Sequence, residues 1–189
     1  MATLNKQAVL RSHLETAIVL VSLENGYVSA HTIIMACEEL LRTWYVAKDK
    51  YVPFDYRFYI KDEYQKVYIS KIRERYNFFK HADRDIDATI DLDPEELHRL
   101  NEVLLAISIF GYRYLFSDKT AAMNSYGQWF AAAYPDFIQW SNVPGGEKLA
   151  ERIRTLSTEP LLRRQALRVF LYSSGVLPKA DLDILRLFN

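Results

Sequence analysis

The chain has 189 residues, half of them hydrophobic and a quarter charged, with 24 Lys and Arg against 24 Asp and Glu. That suits one well-cored domain, and the balanced charge gives no global signal for nucleic acid or an anionic membrane, so a polyanion site would be a local patch. Six Gly and six Pro are too few for an all-β sandwich, which turns every ~8–12 residues.

The first predicted helix runs from about Leu4 to Glu24, with Val9, Leu10, Leu14, Ala17, Ile18 and Val21 at helical spacing. Gly26 is suited to a left-handed C-cap there. Charges at Lys6, Arg11 and Glu15 interrupt any signal-peptide core, and the apolar run Ala17–Leu23 is far short of the ~20 residues that span a bilayer. Ser29 can cap a second helix that ends before Pro53. The two helices, joined by a short turn, should lie antiparallel. Cys37, the single cysteine, reads as a small buried hydrophobe. It leaves no intrachain disulfide and agrees with a reducing, cytoplasmic setting.

The third helix begins near Asp55 or Lys61 and reaches His81, with Ile69, Ile72, Tyr76 and Phe79 as its apolar stripe. Asp93-Pro94-Glu95-Glu96 then announces a fourth: a cap, Pro at the first position and acids in the first turn. That helix, Pro94 to Phe116, carries Leu97, Leu100, Leu104, Ile107 and Tyr114 on one side. Ser117 or Asp118 is the expected cap of the next helix. Shorter helices follow near 147–156, 160–173 and 179–187. "DATIDLD" is the one candidate strand. The expectation is an all-α single domain over 1–189, with a four-helix up-and-down core (1–116) and a C-terminal helical extension (117–189).

Chemistry concentrates in "RYNFFKHADRDIDATIDLDPEE", residues 75–96. Arg73, Asn77 and His81 follow one another at i+4 and form a ladder on one side of the third helix. Arg75 lies at the edge of the apolar stripe, about 120° from His81 on a straight helix. Lys80 and Arg84 add positive charge. A His can exchange the proton of a ribose 2′-hydroxyl, an Arg can hold the phosphate and the charge developing on it, and an Asn can orient either. No metal or cofactor is then required.

Arg75, Asn77 and His81 resemble the Arg-x(4–6)-His motif of the HEPN (higher eukaryote and prokaryote nucleotide-binding) superfamily. "LETAIVL", "SAHTIIMACEELL" and "NFFKHADRD" also resemble an uncharacterised bacterial family associated with that fold. The likeness covers roughly residues 10 to 120. It implies a four-helix up-and-down bundle, often a homodimer, that is either a metal-independent endoribonuclease or an inactive binding module. In the nuclease reading His81 is the general acid or base, Arg75 (or Arg73) binds phosphate and Asn77 orients them, with Arg73, Lys80 and Arg84 contacting nucleic acid. In the other reading the chain binds RNA, a nucleotide or a protein partner without catalysis. A third reading leaves the span as the solvated end of a helix, with His81 and Lys80 complementing its dipole.

The acidic half admits a divalent cation as a minor alternative. Asp83, Asp85, Asp87 and Asp91 fall on positions 1, 3, 5 and 9 of an EF-hand loop. Ala88 stands where that loop needs Gly, and Pro94 where it needs a bidentate Glu. Asx turns and a helix cap account for the same acids.

His31 and Glu38 share a face of the second helix but lack a second ligand pair. His13 and His98 are expected at the surface or its boundary. "YVPFDYRFYIKDEYQKVY" interleaves aromatics with cations, which suits base stacking or packing on a neighbour. Arg152, Arg154, Arg163, Arg164 and Arg168 give the C-terminal region a basic side. Walker A, GxSxG, HExxH and CxxC patterns are absent.

Overall fold

The structure is a computed structural model that describes residues 4–48, 62–81, 87–134 and 160–177. It is all-α: six helices and no strand occur among the described residues. They are α1 (Lys6–Val21), α2 (Tyr27–Ala47), α3 (Asp62–Lys80), α4 (Pro94–Phe116), α5 (Ala121–Ala133) and, as α6, Pro160–Ser173. The expected strand is not formed, since residues 87–93 make a turn and irregular backbone. The expected helices near 147–156 and 179–187 lie outside the described residues. The chain divides into two compact units, Met1–Asp118 and Lys119–Asn189.

In the first unit α1 starts where Asn5 accepts a hydrogen bond from the Ala8 N–H at 2.8 Å. It buries Leu10, Leu14, Ala17, Ile18 and Val21, close to the expected stripe. The turn to α2 spans residues 22–26. Gly26 has φ −83°, so its backbone is not left-handed, and Gly is required for another reason: a Cβ would stand 2.1 Å from the Leu20 carbonyl oxygen. With Gly26 as N-cap, α2 begins at Tyr27, and Ser29 falls inside the helix instead of capping it.

The contacts fix the helix directions. His98 and Asn101 of α4 reach the backbone of Glu24 and Tyr27 at the start of α2, and Gly111 meets Leu41 and Tyr45 near its end. Thus α2 and α4 run parallel. α1 runs against α4, because Arg11 pairs with Asp118 just beyond the end of α4. α3 runs against α2, because Phe79 meets His31 while Tyr76 meets Glu39.

α4 has the predicted bounds and cap: the Asp93 carboxylate accepts from the N–H groups of Glu95 and Glu96 at 2.9 and 3.4 Å. Leu97, Leu104, Leu105, Ile109, Tyr112 and Leu115 are buried, and each of the aliphatic ones contributes about 1.5–3 kcal/mol relative to exposure. Tyr114, assigned to the core side by spacing, is 48% exposed. The helix ends on Ser117 at φ 51°, a left-handed position that usually takes Gly. Thr120, not Ser117 or Asp118, caps α5.

The second unit packs α5 against α6. Trp129 donates from Nε1 to the Arg163 carbonyl at 2.8 Å, and Leu167 and Leu171 are buried. Gly175, at φ 72°, closes α6 in a Schellman motif. Its N–H reaches the Tyr172 carbonyl, and the Val176 N–H reaches that of Leu171. No helix among the described residues is long and apolar enough to cross a membrane.

Candidate functional site on α3

The α3 sequence separates an inner from an outer side. Ile72 and Tyr76 are buried, while Ile69 and Phe79 are only partly covered. On the outer side Lys66, Ile69, Ser70, Arg73, Glu74 and Asn77 line an open groove of about 540 Å³. Their spacing of three and four residues places them along one strip of the helix. Arg73 and Asn77 are both exposed there. The helical hydrogen bonding continues one residue past α3, since the His81 N–H reaches the Asn77 carbonyl at 3.0 Å. His81 therefore remains one turn beyond Asn77 on the side that carries Arg73.

Arg75 goes elsewhere. Its side chain is 14% exposed and its Nη2 donates to Glu96 at 3.0 Å, tying α3 to the first turn of α4. Glu96 is 59% exposed, so the pair is worth about 0–1 kcal/mol. With α3 regular to its end, Arg75 and His81 stay about 120° apart around the helix axis, and the structure does not bring them together. The ladder of Arg73, Asn77 and His81 is kept. Lys80 lies with Nζ 5.0 Å from the centre of the Tyr76 ring. The Tyr76 hydroxyl, and then the charge of Glu39, push its ammonium up from its ordinary value. Tyr76 itself donates to Glu39 at 3.4 Å.

Under the inner side of α3 lies a polar cluster that sequence spacing does not reveal. His31 and Asn101 are fully buried, as is Glu102, and His98 is nearly so. The Asn101 amide donates from Nδ2 to the Tyr27 carbonyl at 2.8 Å, which turns its Oδ1 toward His31 Nδ1, also at 2.8 Å. An amide oxygen only accepts, so His31 carries its proton on Nδ1. Its Nε2 has no hydrogen-bond partner. The Phe79 ring stands edge-on to the imidazole at 5.8 Å.

Burial is the largest influence on His31 and pushes its pKa down, and Arg75 adds to the fall. The Asn101 side chain pulls the other way, and so does the backbone of Ile72, which does not close a hydrogen bond to Nε2. His98, expected near the surface, instead donates from Nε2 to the Glu24 carbonyl at 2.8 Å and packs against Tyr27. These partners lie 70 and 74 residues apart in the chain, beyond any local pattern.

The other candidates separate. Glu38 pairs with Arg42 on its own helix and not with His31. Cys37 is buried and burial pushes its thiol up to about 12. Of the acidic loop, Asp87 and Asp91 are exposed. Asp83, Arg84 and Asp85 lie outside the described residues, as do Arg152 and Arg154 and most of the aromatic stretch 51–68. No group of three or more His, Cys, Asp or Glu is placed to hold a metal among the described residues. No family model, curated protein or solved structure matches the chain.

Proposed function

We propose that this is a HEPN-like helical binding module that takes the phosphodiester backbone of RNA along the outer strip of α3, without catalysis. The open groove shared by Arg73 and Asn77 with Lys66 and Ser70 carries this reading. A guanidinium can fork onto phosphate, and an amide and a hydroxyl can reach a sugar or base edge. Arg75 belongs to the scaffold in this reading, since Glu96 occupies it. The single buried cysteine suits a cytoplasmic setting.

The test is fluorescence anisotropy with labelled single-stranded RNA across a salt series. Arg73→Ala should weaken binding on every sequence and lower the salt slope by about 0.7, the contribution of one phosphate contact on a single strand. Arg75→Gln should leave affinity unchanged. The absence of wild-type binding, or unaltered binding by Arg73→Ala, overturns the proposal.

One observation favours metal-independent RNA cleavage as a second reading. His81 continues the helical hydrogen bonding from Asn77, so a general acid or base would share a side with a phosphate-binding Arg73. A second copy of the chain could complete such a site across a two-fold axis. Cleavage of mixed RNA in EDTA that is abolished by His81→Ala and by Arg73→Ala would establish it. Intact RNA would leave the binding reading alone.

A further inference from the structure

Among the described residues α3 packs on α2 through Ile72, Tyr76 and Phe79, and reaches α4 through the Arg75–Glu96 pair. At the centre of that seat is His31, fully buried, with a bare Nε2 lone pair and the Phe79 edge beside it. We propose that His31 is an acid-sensitive latch for α3: a proton taken from solvent onto Nε2 unseats the helix from α2 and α4.

The surroundings decide the direction. Asn101 from α4 occupies Nδ1 and fixes the tautomer, so an added proton goes to Nε2. No bond breaks in that step. The ring becomes a buried cation, which burial disfavours, and the charge acting on it among the described residues is Arg75 of α3, of the same sign. Glu102 of α4 is buried next to Asn101 in sequence but does not enter the causes that set the ring's protonation. The backbone of Ile72 favours the protonated ring, by less than burial opposes it. Once α3 lifts, water reaches the imidazole and Arg75 moves away from it. The seat is therefore complete above the ordinary histidine value of ~6.5 and weakens as pH falls through it, until the seated ring itself takes the proton.

Latching is independent of what α3 binds, and it is read without ligand, so its failure is distinct from failure of the RNA reading. The experiment is hydrogen exchange of the full chain at pH 7.5, 6.5 and 5.5, corrected for intrinsic exchange rates. In wild type the protection of α3 amides should fall by up to about tenfold per pH unit below 6.5, with α1 protection unchanged. His31→Gln can still donate to Asn101 but cannot titrate, and its α3 protection should be flat. Equal acid loss in folded His31→Gln overturns the latch, as does pH-independent α3 protection in wild type. Should His31→Gln fail to fold, wild type still decides, by ¹³C-histidine NMR beside the exchange data. Loss of α3 protection that sets in at ~6.5, with the His31 ring itself titrating at lower pH, supports the latch. Titration with α3 still protected, or loss spread equally over α1, α2 and α4, overturns it.

Discussion

The seam between α2 and α4 is built differently at its two ends. Where both helices begin it is polar: His31 meets Asn101, Asn101 meets the Tyr27 carbonyl, and His98 meets that of Glu24. Where both end it is aromatic. Gly111 lets α4 approach the Tyr45 hydroxyl, Trp44 packs edge-on to Phe116 at 4.7 Å, and Lys48 lies over the same ring. The polar end is specific because each donor has one placed acceptor, whereas the aromatic end depends on shape. His31 Nε2 at the polar end and the Tyr45 hydroxyl at the aromatic end are buried without a hydrogen-bond partner. Burial, and then Tyr114, push that phenol up to about 12.

Removing the bridging amide should break the polar end most severely. Asn101→Leu strips the buried His31 Nδ1–H of its acceptor and should cost about 2–3 kcal/mol, read as a lower urea midpoint at unchanged m. At the aromatic end Gly111→Ala puts a methyl 2.9 Å from the Tyr45 oxygen and should cost about 1–2 kcal/mol. Tyr45→Phe removes both the obstacle and an unpaired buried hydroxyl, so in that background the same substitution should cost less than half as much. A double-mutant cycle with no coupling would show that shape does not govern this end. At the exit from α4, Ser117→Gly relieves the positive φ and should stabilise by about 1 kcal/mol. The smallest effect belongs beside the polar end: Arg75→Gln should cost less than about 1 kcal/mol, and Arg73→Gln nothing measurable in the same melts.

What the sequence displays and what it hides follow the same division between local and distant chemistry. The α4 cap is legible because Asp93, Pro94, Glu95 and Glu96 act on their own helix, and the Arg73–Asn77–His81 ladder follows from helical spacing. Gly26 is conspicuous as a glycine, but its reason, the approach to Leu20, needs the folded turn. Tyr114 shows how a stripe can be drawn too wide: it stands about 100° round the helix from Leu97 and is exposed, while its neighbours Tyr112 and Leu115 are buried. Partners such as Glu96 for Arg75 and Asn101 for His31 stand 21 and 70 residues away, so neither the occupied arginine nor the buried imidazole could be inferred from periodicity.

Because α2 and α4 point the same way, the chain must travel back along the unit before α4 can be laid down, and α3 lies on that return. The α1–α2 turn spans only residues 22–26, while the seam closes over 70 residues or more. Loop-closure entropy therefore places the hairpin early in folding and the seam late. α3, whose described buried side chains are Ile72 and Tyr76, seats last. Substitutions beneath it should speed unfolding and leave the folding rate nearly untouched.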